Sequence, residues 1–271
     1  MIARYQPPSR RRPRRMGPDE FGEDQQSQGG EGDVPARKVH APMTTYVLIP
    51  GAGGSSWYWH GVTDELGRRG RDVVAVDLPG ADAGAGLPEY VDTVVEAVGE
   101  RGELVVVAQS LGAFTAPLVC ARLPVSLLVL VNGMIPRPGE TPGEWWANTG
   151  QEAARRAYDV REGRDPDAPF DVATYFLHDL PQAEIDASGE HAEEESDAVF
   201  ATPFTLDAWP KVPTRVVTAR DDRLFPATFQ RQVAQDRLGI TPDEVPGGHL
   251  AALSYPRELA DLLEAYVRAG A

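Results

Sequence analysis

The sequence predicts an α/β protein built on a doubly wound, mostly parallel sheet. Short apolar runs rich in valine and leucine recur along the chain, and stretches with helical patterning separate them. These runs are continuously apolar instead of alternating between apolar and polar residues, which is typical of strands buried on both faces of a parallel sheet. Regular alternation of strands and helices is the pattern that forms such sheets.

The order of the segments gives the individual elements. Gly70 directly follows the first predicted helix, where glycine commonly ends a helix, and Pro88 opens the second, where its missing N–H costs nothing. Strands are predicted at 46–49, 73–76, 104–108, 127–131, 214–218 and 243–245, and helices at 56–69, 88–98, 111–123, 227–238 and 256–269.

The alternation of strands and helices stops between residues 134 and 210. A proline-rich break opens this segment, and residues 144–159 have an amphipathic pattern that predicts one helix carrying Trp145 and Trp146. We interpret the segment as a small helical cap inserted after the strand at 127–131, over one edge of the sheet.

An acidic stretch lies near the end of this cap. Residues 179–197 contain eight Asp or Glu and no Lys or Arg. Together with His191 these carboxylates could suggest a metal site, but no second histidine stands at ligand spacing. We therefore expect solvated helix surface there, and we predict no metal site.

The composition limits the partners and the compartment. The net charge is −15, and residues 1–42 hold eight Lys or Arg against six Asp or Glu, so the acidity lies in the remainder. A body this acidic argues against nucleic acid and anionic membranes as partners. No apolar run approaches the ~20 residues that a membrane span needs.

The single cysteine, Cys120, excludes an internal disulfide and fits a reducing compartment, so we expect a cytoplasmic protein. The oligomeric state stays open.

The first 42 residues have the composition of a disordered tail. A basic cluster at 10–15 precedes a stretch of Gly, Gln and acidic residues at 17–32. Sequence with folded character begins abruptly at Met43, which motivates the hypothesis that the natural protein starts there. The predicted folded domain covers residues 43–271 and includes the cap.

A pentapeptide near the middle of the chain, Ala108-Gln109-Ser110-Leu111-Gly112, follows an apolar strand and precedes a helix. A strand that runs through small-x-Ser-x-small into a helix is the pattern of a nucleophile elbow. The turn is tight, so the residues two before and two after the serine must be small. An alternative is a serine that only caps the helix, and a base and an acid elsewhere in the chain are needed to distinguish the two.

A serine hydroxyl needs a neighbouring base, which a buried carboxylate must hold in the right tautomer. Of the five histidines only His249 follows a late strand, on a loop that contains two glycines. Asp221 and Asp222 both follow the preceding strand, and Asp222 is preferred because it stands four residues before Pro226, which opens the next helix. The order Ser, Asp, His is the one expected for a nucleophile elbow of this kind.

A tetrahedral intermediate also needs hydrogen-bond donors for its oxyanion. The amide after the nucleophile, Leu111, is one candidate. The glycine-rich loop at 50–54 follows the first strand and offers the amide of Ala52 as the second, with Gly51 and Gly53 allowing close approach of the substrate. The loop could be mistaken for a phosphate cradle, but it lacks the Gly-Lys-Ser/Thr and the full G-x-G-x-x-G of nucleotide sites.

From residue 43 to 271 the chain resembles the α/β-hydrolases, most of all the branch that contains plant methyl-ester esterases, hydroxynitrile lyases and small bacterial hydrolases. The resemblance implies a Ser110–His249–Asp222 triad, oxyanion amides from Ala52 and Leu111, and no cofactor. The segments that carry it are 50–53 with Trp57 and Trp59, 77–80, 108–112, 222–226 and 248–249.

The chain departs from the pattern of that branch at several positions. Pro50 stands where the family usually has His, and Ala108 where it usually has Gly; Gln109, often His in the family, is expected to point away from the nucleophile. The lyases typically carry Thr at the position of Gly51 and Lys at the position of Leu250. Without that lysine no cation stabilises a departing cyanide, which favours ester hydrolysis.

The sequence thus predicts a serine hydrolase that cleaves a small carboxylic ester through an acyl-enzyme. Trp145, Trp146 and Phe176 in the cap are candidate walls of the substrate pocket, together with Gly51 and Gly53, although each aromatic residue could equally serve core packing. Two alternatives stay open: a lyase, thioesterase or cyclase on the same fold, and a receptor-like protein that binds a ligand with little turnover.

Overall fold

The computed structural model describes residues 44–270. The predictions for residues 1–42, a tail without fixed structure and a natural start at Met43, lie outside the described residues. No helix within 44–270 is long and apolar enough to cross a membrane.

The core of the described chain is an open six-stranded sheet in the order β2-β1-β3-β4-β5-β6. Every neighbouring pair is parallel, so the predicted doubly wound α/β sheet is confirmed. The strands are β1 (Thr45–Ile49), β2 (Asp72–Ala75), β3 (Leu104–Gln109), β4 (Val125–Val131), β5 (Thr214–Ala219) and β6 (Asp243–Val245).

Both faces of the sheet are buried along its central strands β1, β3 and β4, which explains the long apolar runs in these strands. Successive residues of a strand point to opposite faces. In β3, Val106 packs into the core on one face, while Val105 and Val107 pack into the core on the other. Each face therefore selects apolar side chains.

Helices cover both faces. Leu66 of the first helix and Leu259 of the last pack on one face, and Val91 and Phe114 pack on the other. Burial raises the pKa of the Cys120 thiol, at the end of the helix after β3, to about 12, as expected for a cysteine that packs as a small apolar residue. These helices are α1 (His60–Arg68, preceded by a 3-10 turn at Ser56–Trp59), α2 (Leu87–Val98), α3 (Gly112–Cys120), α8 (Ala227–Leu238), α9 (Ala251–Ser254) and α10 (Pro256–Ala269).

The cap between β4 and β5 is helical, but the single helix predicted at 144–159 is wrong. Gly150 adopts a φ of +69°, a left-handed conformation that ends one helix and begins the next. The cap consists of α4 (Pro142–Thr149), α5 (Gln151–Arg161), a π-helical turn (Ala173–Leu177), α6 (Gln182–His191) and α7 (Asp197–Ala201).

Candidate active site

Ser110 stands in the sharp turn between β3 and α3. Its φ is +49°, a left-handed conformation that costs a residue with a side chain on the order of 1 kcal/mol or more. Its amide donates to the carbonyl of Val131, at the end of β4, over 3.2 Å. Its carbonyl accepts from the amides of Ala113 at 3.1 Å and Met134 at 2.9 Å. These bonds hold the strained turn in place.

The small residues around Ser110 are needed for space. A Cβ at Gly112 would lie 2.6 Å from the carbonyl oxygen of Pro50, too close for the backbone directly after β1 to remain where it is. Ala108 is fully buried within β3, and its methyl group packs into the apolar core.

Ser110, His249 and Asp222 form one hydrogen-bonded chain. The Nε2 atom of His249 lies 3.1 Å from Ser110 Oγ, and its Nδ1 atom lies 2.8 Å from Asp222 Oδ2. A carboxylate can only accept, so Nδ1 carries the proton and the Nε2 lone pair faces the serine hydroxyl. The arrangement prepares the imidazole to accept the Ser110 proton.

The site is enclosed: Ser110 is 8%, His249 1% and Asp222 0% exposed. Asp222 Oδ1 accepts from the amides of Leu224 at 2.9 Å and Phe225 at 2.8 Å, which fixes the carboxylate. A substrate therefore meets groups whose orientation is set before it arrives.

The structure separates the two candidate carboxylates. Asp221 is exposed, and its carboxylate accepts one long hydrogen bond, from the amide of Gly247 at 3.4 Å. The carboxylate of Asp222 is the one that bonds to Nδ1 of His249.

Three buried side-chain amides, Asn132, Gln230 and Gln109, support this chain, and none of them is among the predicted site residues. Asn132 follows β4 with a φ of +47°, and its Nδ2 donates to the carbonyl of His249 over 3.1 Å. Gln230 on α8 donates to Asp222 Oδ2 over 3.2 Å. Gln109 donates to the carbonyl of His249 over 3.3 Å, so it supports the histidine from behind the nucleophile.

Asn132 could have been predicted from the sequence, because it is a polar residue directly after a buried strand, at the sheet edge where the other site residues lie. Gln230 lies within a helix and has no comparable signal.

The glycine-rich loop comes directly against the nucleophile. A Cβ at Gly51 would lie 2.8 Å from Ser110 Cβ and 2.2 Å from Gln109 Oε1, so only glycine fits there. Within residues 44–270 the amides of Ala52 and Leu111 donate to no acceptor. Both predicted oxyanion donors are therefore left without a partner within the described residues.

The three cap aromatics differ in position. The ring of Phe176 lies edge-on to the imidazole of His249, with centroids 5.2 Å apart. Trp146 is half-buried and packs on Phe225, which itself contacts His249. Trp145 has no exposed surface, and its Nε1 donates to the carbonyl of Ile135 over 3.0 Å. Trp145 is thus a core residue and not a pocket wall.

The acidic stretch at 179–197 is only in part the solvated surface that the sequence predicts. Asp186 and Glu190 on α6 are exposed. Asp179, before α6, accepts from the amide of Gly248 at 2.6 Å, and Glu195, after it, accepts from the amide of Gly53 at 2.8 Å. Each end of the stretch therefore binds a loop of the candidate site. No group of three or more side chains that could hold a metal ion occurs within the described part of the chain.

Comparison with known proteins agrees with this geometry. The sequence model of the alpha/beta hydrolase family matches residues 46–262. The chain belongs to the alpha/beta hydrolase family. This membership confirms the resemblance to the alpha/beta hydrolases that the sequence motifs indicate.

Individual alpha/beta hydrolases match almost along their full length. Norfluorocurarine synthase 1 of Strychnos sp is 23% identical over 250 residues, covering 81% of this chain and 93% of that protein. Methylesterase 9 of Arabidopsis thaliana is 23% identical over 248 residues, covering 82% and 97%. The crystal structure of polyneuridine aldehyde esterase has the same fold, with a TM-score of 0.68 at 18% identity, covering 83% of this chain and 99% of that one. These relatives match the plant esterase branch that the motifs predict.

Proposed function

We propose that this alpha/beta hydrolase cleaves a small carboxylic ester through a covalent acyl-enzyme. The observation that carries the proposal is the hydrogen-bonded chain from Ser110 through His249 to Asp222, next to two amides that bond to no described residue. Relatives named as esterases support the same class of reaction.

In the first half of the reaction His249 Nε2 takes the hydroxyl proton as Ser110 Oγ attacks the ester carbonyl carbon. The carbonyl oxygen becomes an oxyanion that accepts from the amides of Ala52 and Leu111, each worth about 3 kcal/mol in comparable sites. Asp222 stabilises the imidazolium. The imidazolium then gives its proton to the leaving alkoxide, which departs as the alcohol.

In the second half water replaces the alcohol. His249 takes a proton from water, the hydroxide attacks the acyl carbon, and the imidazolium returns the proton to Ser110 Oγ as the carboxylic acid leaves. The chain's own residues perform every proton transfer.

The surroundings of the site favour a small, apolar substrate. Phe176 packs against the imidazole, and Trp146 packs on the neighbouring Phe225. Ser110 is almost fully covered. Leu250 follows His249 where the related lyases carry lysine, so the position supplies no cation for a leaving cyanide.

The test is hydrolysis of p-nitrophenyl esters of increasing acyl length by wild type, Ser110→Ala and the control Ser188→Ala on α6. We expect activity that is greatest for short acyl chains, that Ser110→Ala abolishes and that Ser188→Ala retains. A fluorophosphonate probe should label Ser110 in the folded protein.

Absence of both labelling and hydrolysis would contradict the proposal and favour a receptor-like protein. Labelling of Ser110 without hydrolysis of any ester in the series would favour the lyase, thioesterase or cyclase reactions.

A further inference from the structure

The chain segment after α6 lies along the glycine-rich loop that carries Ala52. The amide of Glu193 donates to the carbonyl of Gly53 over 3.0 Å. The amide of Gly53 donates to Glu195 Oε2 over 2.8 Å. Both backbone polar groups of Gly53 are therefore bonded to the cap, 140 or more residues further along the chain.

These bonds act on a turn whose geometry sets the direction of the Ala52 amide. Gly54 N donates to the carbonyl of Gly51 over 3.2 Å, and Gly53 has a φ of +67°. In a trans peptide the N–H points opposite to the C=O. The peptide that joins Gly51 to Ala52 is thus fixed through its carbonyl, and the Ala52 N–H points away from Gly54. Gly53 is the third residue of this four-residue turn, so the two bonds that hold Gly53 also restrain this peptide.

The Glu195 carboxylate is itself held in position. Its Oε1 accepts from the hydroxyl of Tyr90, a residue of α2 that is 1% exposed. Burial raises the pKa of Glu195 above its ordinary value, in spite of the hydrogen bonds from Tyr90 and Gly53 that lower it. The neighbouring Glu193 and Glu194 are exposed. Only one of three consecutive glutamates is turned inward, although a carboxylate is costly to remove from water.

We propose that Glu195 is a positioning residue for the oxyanion loop: anchored by Tyr90, it binds the Gly53 amide and so aims the Ala52 amide at the substrate oxygen. The catalytic effect of Glu195 rests on the proposed ester hydrolysis. The contact between Glu195 and the loop does not depend on that function. Glu195 does not touch the reacting atoms, so its removal should weaken stabilisation of the transition state more than binding of the substrate.

The kinetic test compares Glu195→Ala with Glu194→Ala, which removes the same charge from the adjacent exposed position. Loss of a whole oxyanion donor costs about 10²–10³ in kcat, so a displaced donor should lower kcat by roughly 10- to 100-fold with little change in KM. Glu194→Ala should stay within about twofold of wild type. Glu195→Gln should recover most of the activity, because its Oε1 can accept from Gly53 while its Nε2 donates to the Tyr90 oxygen.

A second measurement does not depend on activity. Amide hydrogen exchange of the peptide that spans 50–57 should be about tenfold faster in Glu195→Ala than in Glu194→Ala, with the exchange of β3 unchanged. Tyr90→Phe, which keeps the aromatic ring, should give an intermediate increase, and it serves as the test if Glu195→Ala fails to fold.

The outcomes separate this proposal from the proposed function. Equal exchange and equal kcat in Glu195→Ala and Glu194→Ala would overturn the role of Glu195. Wild type that hydrolyses no ester, but whose loop exchanges faster in Glu195→Ala, would overturn the ester hydrolysis and leave the positioning role supported.

Discussion

Asp222→Asn replaces one carboxylate oxygen by an amide nitrogen and changes almost nothing else in shape. The structure decides which way the new side chain faces. Oδ1 accepts from the backbone amides of Leu224 and Phe225 at 2.9 and 2.8 Å, so the asparagine must keep its oxygen there. The reverse orientation would leave two buried N–H groups facing an NH₂ group, at about 1–3 kcal/mol each.

The NH₂ group of the asparagine therefore lies where Oδ2 stands, 2.8 Å from Nδ1 of His249. Nδ1 must then accept instead of donate, which moves the ring proton to Nε2, opposite Ser110 Oγ. The imidazole has no lone pair left for the serine proton. A wrong tautomer of this kind lowers kcat by about 10⁴, equivalent to ~5 kcal/mol of transition-state stabilisation.

The assay is kcat/KM on a p-nitrophenyl ester, with thermal unfolding measured in parallel. Asp221→Asn is the matched control: the residue is adjacent and exposed, and we expect it to retain activity within a few-fold. A folded Asp222→Asn variant that keeps a tenth of wild-type activity would contradict this role of Asp222. So would an Asp221→Asn variant that loses as much activity as Asp222→Asn is expected to lose.

Three further changes probe the surroundings of the site. Gln230→Leu removes the buried donor to Asp222 Oδ2, so chemical denaturation should show a loss of about 2 kcal/mol in unfolding free energy and kcat should fall below that of wild type. Asp179→Ala removes the acceptor of the amide that precedes His249, and kcat should fall further than in Asp186→Ala, which alters an exposed residue of α6. Glu140→Gln leaves the buried Arg237 without its ion-pair partner, at a cost of about 3 kcal/mol in unfolding free energy. Burial alone would raise the pKa of Glu140, but Arg237 and neighbouring donors hold it below the ordinary value of a glutamate. The difference in stability from wild type should therefore be complete above that ordinary value and vanish as the pH falls through the lower pKa of the folded state. Equal stability of wild type and Glu140→Gln at pH 7 would contradict the ion pair. Equal kcat in Asp179→Ala and Asp186→Ala, or equal kcat and stability in Gln230→Leu and wild type, would contradict the corresponding hydrogen bond.

The sheet could be predicted because its physical cause is local. A strand covered on both faces has to be apolar along most of its length, as β3 is from Leu104 to Ala108, and this pattern is visible in five consecutive residues. The turn at Ser110 could be predicted for a related reason, since a tight strand-to-helix turn excludes large residues at fixed distances from the serine. The glycines of the loop at 50–54 can be recognised in the sequence, but the neighbouring atoms of Gln109 and Ser110 that leave room only for glycine at position 51 cannot.

The cap and the supporting contacts could not be predicted in the same way. The break at Gly150 had a local signal, yet amphipathic patterning continues across it and predicts one helix. Asn132 and Glu195 act on residues more than 80 positions away, so their roles depend on the finished fold. Trp145 has the composition of a pocket wall, and only the packing of Phe225 and Phe229 around it makes it a core residue.

The two carboxylates at the ends of the acidic stretch limit how the cap can be exchanged. A cap inserted at one point of a sheet is an attractive module for engineering, because a graft from a relative would bring a new pocket with it. Here Asp179 and Glu195 connect the insert to the loops that carry His249 and Ala52. A grafted cap without carboxylates at these positions would change selectivity and catalytic rate together. Chimaeras that keep both should let the two properties be optimised one at a time.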